Sequence, residues 1–177
     1  MSVIRRLTGL DREDALALAW EVFEVFEAPE YAQTGIDEFH NFVTEGWKKV
    51  GMTFYGAFEE DRIIGMLALR PHRHISLFFV EKDYQGKGVG KELFKTVATE
   101  LEGRVLTVNS APYAVNIYRA LGFKPMAKET VTNGIRYTPM RYGECPCHKA
   151  KSCHRSINCM ECRAHHTESD RPRPCDR

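Results

Sequence analysis

An α/β fold (α+β), with a central sheet of about six to seven strands flanked by about four helices, is predicted by three observations. Short runs rich in β-formers alternate with segments of helical period as far as Tyr142. One of these runs passes through three closely spaced glycines straight into an amphipathic helix. The alternation stops near Gly143, beyond which the composition changes and all six cysteines lie.

Val3-Ile4-Arg5-Arg6-Leu7 reads as a first strand, and Thr8-Gly9-Leu10-Asp11 as the turn into a helix with Asp11 as its cap. Leu16, Ala19, Trp20, Phe23 and Phe26 then recur at helical spacing until Pro29 ends the pattern. After the loop 28–34, Ile36, Phe39, Phe42 and Val43 mark a shorter helix over 35–44. Runs 53–58 and 63–69 form a strand pair joined by the acidic turn Glu59-Glu60-Asp61-Arg62. His74-Ile75-Ser76-Leu77-Phe78-Phe79-Val80 is a short buried strand. Val89, Leu93, Phe94, Val97 and Leu101 give the next helix its apolar stripe. Residues 105–109 make another strand, Pro112 opens a short helix and Gly122 closes it. Runs 123–129 and 135–142 form a last strand pair around Thr132-Asn133-Gly134.

The stretch Gln85-Gly86-Lys87-Gly88-Val89-Gly90-Lys91 has the chemistry of an anion cradle. Glycines let the backbone approach, the first helical amides are unpaired, and the helix dipole favours negative charge there. Lys87 and Lys91 add cationic donors, so phosphate or pyrophosphate is the favoured ligand. The nucleotide-triphosphate loop is excluded, because three residues separate Gly86 from Gly90 and Glu92 follows Lys91. The dinucleotide fingerprint fails as well, since one residue separates Gly88 from Gly90. The spacing Gln/Arg-x-x-Gly-x-Gly/Ala after a strand resembles the acetyl-CoA pyrophosphate loop of the GCN5-related N-acetyltransferases. A second segment, Asn109 through Tyr118 to Leu121-Gly122-Phe123, is similar to the family's Asn…(Phe/Ile)-Tyr-x-x-Leu-Gly-Phe pattern. The element order matches the family's mixed-sheet fold from Val3 to Tyr142.

The resemblance implies an acetyl-CoA-dependent N-acetyltransferase that moves an acetyl group to a primary amine of a small molecule or peptide. It implies that the backbone from Gln85 to Gly90 grips the pyrophosphate. It also implies that the central strand splays from its neighbour at Phe79 and Val80 to expose groups to the pantetheine arm. Asn109 is expected near that arm and Asn116 near the cosubstrate. Tyr118 takes the place of the family's general acid; a phenol near pKa 10 can protonate a departing thiolate. An amine near pKa 10.4 needs a base, directly or through water. Glu27, Glu30, His72, His74 and Glu81 are candidates, with His74 and Glu30 preferred because the family builds its acceptor site from those regions. No cysteine precedes residue 145, which favours direct attack in a ternary complex over an acyl-enzyme. A homodimer is compatible with this expectation.

A net charge of +1 gives no global attraction to nucleic acid, and no apolar run approaches the ~18 residues of a membrane span. The first ten residues lack the apolar core of a secretory signal, so a cytoplasmic location is the default expectation. The predicted boundary divides an acetyltransferase domain at 1–143 from a cysteine- and histidine-rich tail at 144–177. There Cys159-Met160-Glu161-Cys162, with further thiols and imidazoles on both sides, has zinc-ligand spacing. So few apolar residues follow Gly143 that the tail needs a cross-link to become ordered. It resembles a small bacterial Cys-x-Arg-His-Gly-x-Cys-x-x-Cys-x-x-His module, although His154 and Arg155 are transposed and Asn158 stands at the glycine. Cys153, Cys159, Cys162 and His165 are the expected ligands; a disordered or redox-active tail is the alternative. Rival readings of the whole chain are a CoA-binding sensor without catalysis and a metal- or redox-responsive binding protein. Nucleic-acid binding is disfavoured, because the basic residues of the tail have no neighbouring aromatic for base stacking.

Overall fold

The sheet runs in the order β1-β2-β3-β4-β5-β8-β6, with β7 paired to β8 off that path. A computed structural model describes residues 2–102 and 104–143 of the 177. The first strand, β1 (Val3–Arg6), feeds α1 (Asp11–Phe26) and then α2 (Gln33–Thr44). The meander β2 (Thr53–Glu59), β3 (Arg62–Arg70) and β4 (His74–Val80) follows, then α3 (Val89–Glu100). Next come β5 (Leu106–Ser110), α4 (Val115–Ala120), β6 (Lys124–Pro125), β7 (Thr130–Thr132) and β8 (Ile135–Tyr142). All neighbours are antiparallel except β4 and β5, so the sheet is mixed.

Strand alternation distributes the core to both faces. Phe54, Met66 and Ala68 face α1 and α2, where they meet Leu16, Ala19, Val22 and Phe23. Tyr55, Leu67 and Leu69 face the opposite side with Leu93, Phe94, Val97 of α3 and Tyr118 of α4. Both flanking layers are therefore tied to β2 and β3, whose interior positions are all but inaccessible to solvent. At about 25 cal/mol per Å², each such buried leucine or phenylalanine contributes about 1.5–3 kcal/mol.

Two local expectations are corrected. Asp11 does not cap α1, since Leu10 occupies the cap position without a side-chain bond. The Asp11 carboxylate instead accepts the Thr8 amide at 3.3 Å and both terminal nitrogens of Arg5 at 2.7 and 2.9 Å. Of the strand expected over 123–129 only the two residues of β6 form, and the partner of β8 at the turn is β7, which begins beyond that range at Thr130. Pro125 has no amide to extend the ladder, and β6 ends there. The β7–β8 turn is as expected: Asn133 and Gly134 both hold positive φ, at 51° and 76°, as a tight hairpin turn requires.

A bulge in β4 organises the centre of the molecule. Leu77 pairs with Ala68 and Ile75 with Leu69, which leaves Ser76 as the extra residue. Leu77 consequently belongs to the α1–α2 core, whereas Ile75, two residues away, belongs to the α3–α4 core. On its other side β4 pairs with β5 only at His74–Thr107 and Ile75–Val108. From Ser76 onward the two parallel strands part, and a cleft opens between them.

Candidate functional site

The cleft has a volume of about 1040 Å³ and is lined from both halves of the fold. One end is the loop after β4, the middle is the gap between β4 and β5, and the other end is built by α1, α2 and the β3–β4 turn.

At the loop end, Gly86 and Gly88 hold φ of 74° and 92°, a region where side chains are strained. A Cβ at either position would meet nothing within 4 Å, so the backbone is open to an approaching group. Gly88 is also the cap residue of α3 and supplies no side-chain acceptor to the first-turn amides. Those amides are the orphan donors of the helix, with the positive end of its dipole behind them. Gln85, Gly86, Gly88, Gly90 and Lys91 all line the cleft. The remaining two predicted loop residues do other work. Lys87 lies 5.3 Å over the ring of Tyr84, and Val89 is buried beneath the loop. Gln85 donates from Nε2 to the Val80 carbonyl at 2.9 Å, which fastens the loop to the strand before it. This geometry fits a pyrophosphate.

In the middle, Phe79, Val80, Asn109 and Asn116 line the cleft. Phe79 also packs edge-on to Phe39, at 5.8 Å, so it ties the strand to α2. The Asn116 side-chain carbonyl accepts from Arg119 at 3.3 Å. Tyr118 is buried on the wall between Phe78 and Phe123, with ring centroids at 6.0 and 5.2 Å. Burial, then the nearby Glu27 carboxyl and Tyr113, drive its pKa far above the ordinary phenol value. Tyr118 therefore keeps its proton throughout the physiological range.

At the far end stands Glu27, the residue that terminates α1. Its carboxyl accepts a hydrogen bond from the Tyr31 hydroxyl at 3.1 Å. Burial pushes its pKa up to about 7, against the opposing pull of that hydrogen bond. Its place at a helix C-terminus disfavours negative charge in the same sense. Tyr113 lines the wall beside it and stacks on Phe26 at 6.2 Å. The result is a cluster of one carboxyl and three phenols, Tyr31, Tyr113 and Tyr118, brought together from the end of α1, the following loop, the turn at 112–114 and α4.

The two preferred bases sit differently. Glu30 is exposed, pairs with Arg136 at 3.0 Å and is not part of the cleft wall. His74 does line the cleft, where Nδ1 contacts the Thr107 hydroxyl at 2.9 Å. Burial and then the Arg70 charge push its pKa down to about 3, so it is neutral and weakly basic. Of the other candidates, Glu81 is engaged by Arg62 and His72 occupies a left-handed turn position with φ 65°; neither lines the cleft. Cys153, Cys159, Cys162 and His165 lie outside the described residues. Among the described residues no group of three or more metal-binding side chains converges.

Sequence reasoning passed over Tyr113, Arg70 and Ser76. Ser76 did carry a signal, as the one small polar residue inside the apolar run from Ile75 to Val80. Arg70 carried none, because an arginine at a strand end is unremarkable until the cleft around it is seen.

Residues 27–143 match the model of the acetyltransferase (GNAT) domain family. Among solved structures, a GCN5-related N-acetyltransferase from Rhodopseudomonas palustris superposes with a TM-score of 0.69 at 19% identity, covering 81% of this chain and 96% of that one. The PaiA N-acetyltransferase of Thermoplasma acidophilum, in complex with coenzyme A, gives 0.63 at 18% identity, covering 81% and 99%. A GNAT-family protein from Desulfovibrio desulfuricans gives 0.59 at 20% identity, with the same coverage of 81% and 99%. No curated protein matches the chain. Among the described residues no helix is long and apolar enough to cross a membrane.

Proposed function

The chain belongs to the GCN5-related N-acetyltransferase family, and from that premise we propose that it acetylates a primary amine by direct attack within a ternary complex. The observation that carries this reading is the continuity of one cleft. It runs from the uncapped start of α3, through the gap between β4 and β5, to a carboxyl group poised near neutral pKa.

Acetyl-CoA supplies the activated acyl group, and the protein supplies placement and proton traffic. The amides around Gly86, Gly88 and Gly90, with Lys91, hold the pyrophosphate. The free edge of β4 from Ser76 to Val80 aligns the pantetheine arm, with Asn109 and Asn116 on the facing wall. Glu27, rather than His74 or Glu30, is the base this arrangement favours. A carboxylate with a pKa of about 7 is half ionised at neutral pH and is a far stronger base than a histidine at about 3. Tyr31 holds its Oε2 in place through the hydrogen bond. Tyr118, kept protonated by burial, donates toward the sulfur as its bond to the acyl carbon breaks. A thiolate expelled into this partly desolvated wall is more basic than in water, which favours accepting that proton.

The test is to incubate the protein with acetyl-CoA and a panel of small-molecule and peptide amines. Thiol release must be matched by one acetyl group gained on the amine, read by mass spectrometry. Thiol release without acetylated amine would refute the reading.

A further inference from the structure

We propose that Arg70 sets acceptor specificity by receiving a carboxylate, so that the acceptor is a small amino-acid-like molecule with its amine at Glu27. This rests on the acetyl-transfer reading above and narrows its acceptor from any primary amine to an amino acid.

Arg70 ends β3 directly opposite His74 and lines the cleft. Among the described residues other arginines are paired with carboxylates: Arg5 with Asp11, Arg6 with Glu100, Arg62 with Glu81, Arg104 with Glu102 and Arg136 with Glu30. Among the described residues the Arg70 side chain has no ion-pair or hydrogen-bond partner. Desolvation by the surrounding walls lowers its pKa, with no offsetting anion. The residue is nonetheless exposed, so the guanidinium keeps its charge and its water, and it stands open at the cleft for a carboxylate to replace that water.

Two further polar groups line the same cleft. The Ser76 hydroxyl is buried, has no partner and lines the same cleft. It lies on the bulge that separates Ile75 from Leu77, next to the Arg70–His74 pair. His74 is neutral, so it adds a hydrogen-bonding group without a second positive charge. A planar carboxylate is the anion that suits a guanidinium fork, with a hydroxyl to complete its coordination.

The pyrophosphate does not compete for this position. It is held after the last residue of β4, whereas Arg70 lies opposite the first. Six residue steps along a strand separate the two by roughly 20 Å. Glu27 and Glu38 line the cleft without pairing to Arg70. A cation and a carboxylate held apart in one cleft complement a zwitterion. An amine at the start of a long peptide lacks the nearby carboxylate that Arg70 requires.

The test compares free L-amino acids and γ-aminobutyrate with their carboxamides, using the full chain and acetyl-CoA. At least one acid should exceed its amide in kcat/KM by about tenfold or more, as expected when a site built for one polar group meets an analogue lacking it. Arg70→Gln should bring that ratio close to one, Arg70→Lys should keep most of it, and calorimetric acetyl-CoA affinity should be unchanged in both. Equal use of acids and amides by the native protein would overturn the proposal, as would an undiminished ratio in Arg70→Gln. Acetylation of amines that lack a carboxylate, with no acid accepted, would overturn it while leaving amine acetylation intact. Acetylation of no amine at all, with acetyl-CoA still bound, would overturn the wider reading and this one with it.

Discussion

Glu27 concentrates the chemistry of the molecule in one ionisation. Its carboxyl titrates ordinarily at 4.5 and is raised to about 7, so the folded state binds this proton more tightly than the unfolded chain does. The resulting stability is fully present below 4.5 and is lost as pH rises through about 7. Activity runs the other way, because only the ionised form removes a proton from the amine. The kcat/KM should therefore climb as pH rises through about 7, and Glu27→Gln should abolish that limb and lower kcat by about 10²- to 10⁴-fold. The same variant should melt higher than the native protein at pH 8 and near it at pH 5. A Gln variant with native turnover would remove Glu27 from the mechanism. Tyr118→Phe should lower kcat by about ten- to a thousand-fold with little effect on acetyl-CoA affinity, as stopped-flow turnover and calorimetry would show together.

At the scale of elements, the loop and helix that bind the cosubstrate depend on backbone conformation. Gly88→Val places a β-branched side chain at φ 92°, a strain of about 1–2 kcal/mol, and it does so where the backbone must be approached. Acetyl-CoA affinity should fall about tenfold or more by calorimetry. Gly9→Val imposes a similar conformation at φ 51° with open space around it and lies in the β1–α1 turn, outside the cleft wall. It should cost stability without cost in affinity, and equal affinity losses in the two variants would show that strain alone is being measured. This end of the site was legible in the sequence, because a glycine spacing after a strand is a local signal. The acceptor end was not. Glu27 was only one of several acids in reach, and its enclosure comes from α1, α4 and the loop that carries Tyr31 folding together. Glu30, three residues later on the same loop, turns outward to Arg136, and no periodicity distinguishes the two. Likewise the bulge at Ser76 exchanges the faces of β4 midway, so an alternation count through 74–80 assigns half of the strand to the wrong side.

At the scale of the whole chain, the order of strands decides where the protein can be cut. The last strand, β8, is not at an edge: it lies between β5 and β6 and also carries β7. It pairs with β5 over five residues, from Leu106–Tyr142 to Ser110–Thr138, and brings the fully buried Met140 into the α3–α4 core. That core also contains Tyr118 and Phe123. A chain ending after Gly134 loses this strand, exposes both edges it covered and should fail to fold, with no cooperative melt by circular dichroism. A chain ending after Gly143 keeps the whole sheet, so it should melt cooperatively and bind acetyl-CoA with native affinity. If the boundary at 143 is right, the thiol chemistry of the remainder is separable from acetyl transfer. The C-x-x-C at Cys159 and Cys162 then makes a distinct prediction for the full chain, namely about one zinc per molecule by elemental analysis. The metal should be absent from the 1–143 protein and from the Cys159→Ser, Cys162→Ser double variant, while acetyl-CoA affinity is native in both. Full-length protein free of metal with all six thiols reactive would reject the zinc site. A 1–143 protein that fails to melt cooperatively would show that the acetyltransferase fold needs the residues beyond Gly143.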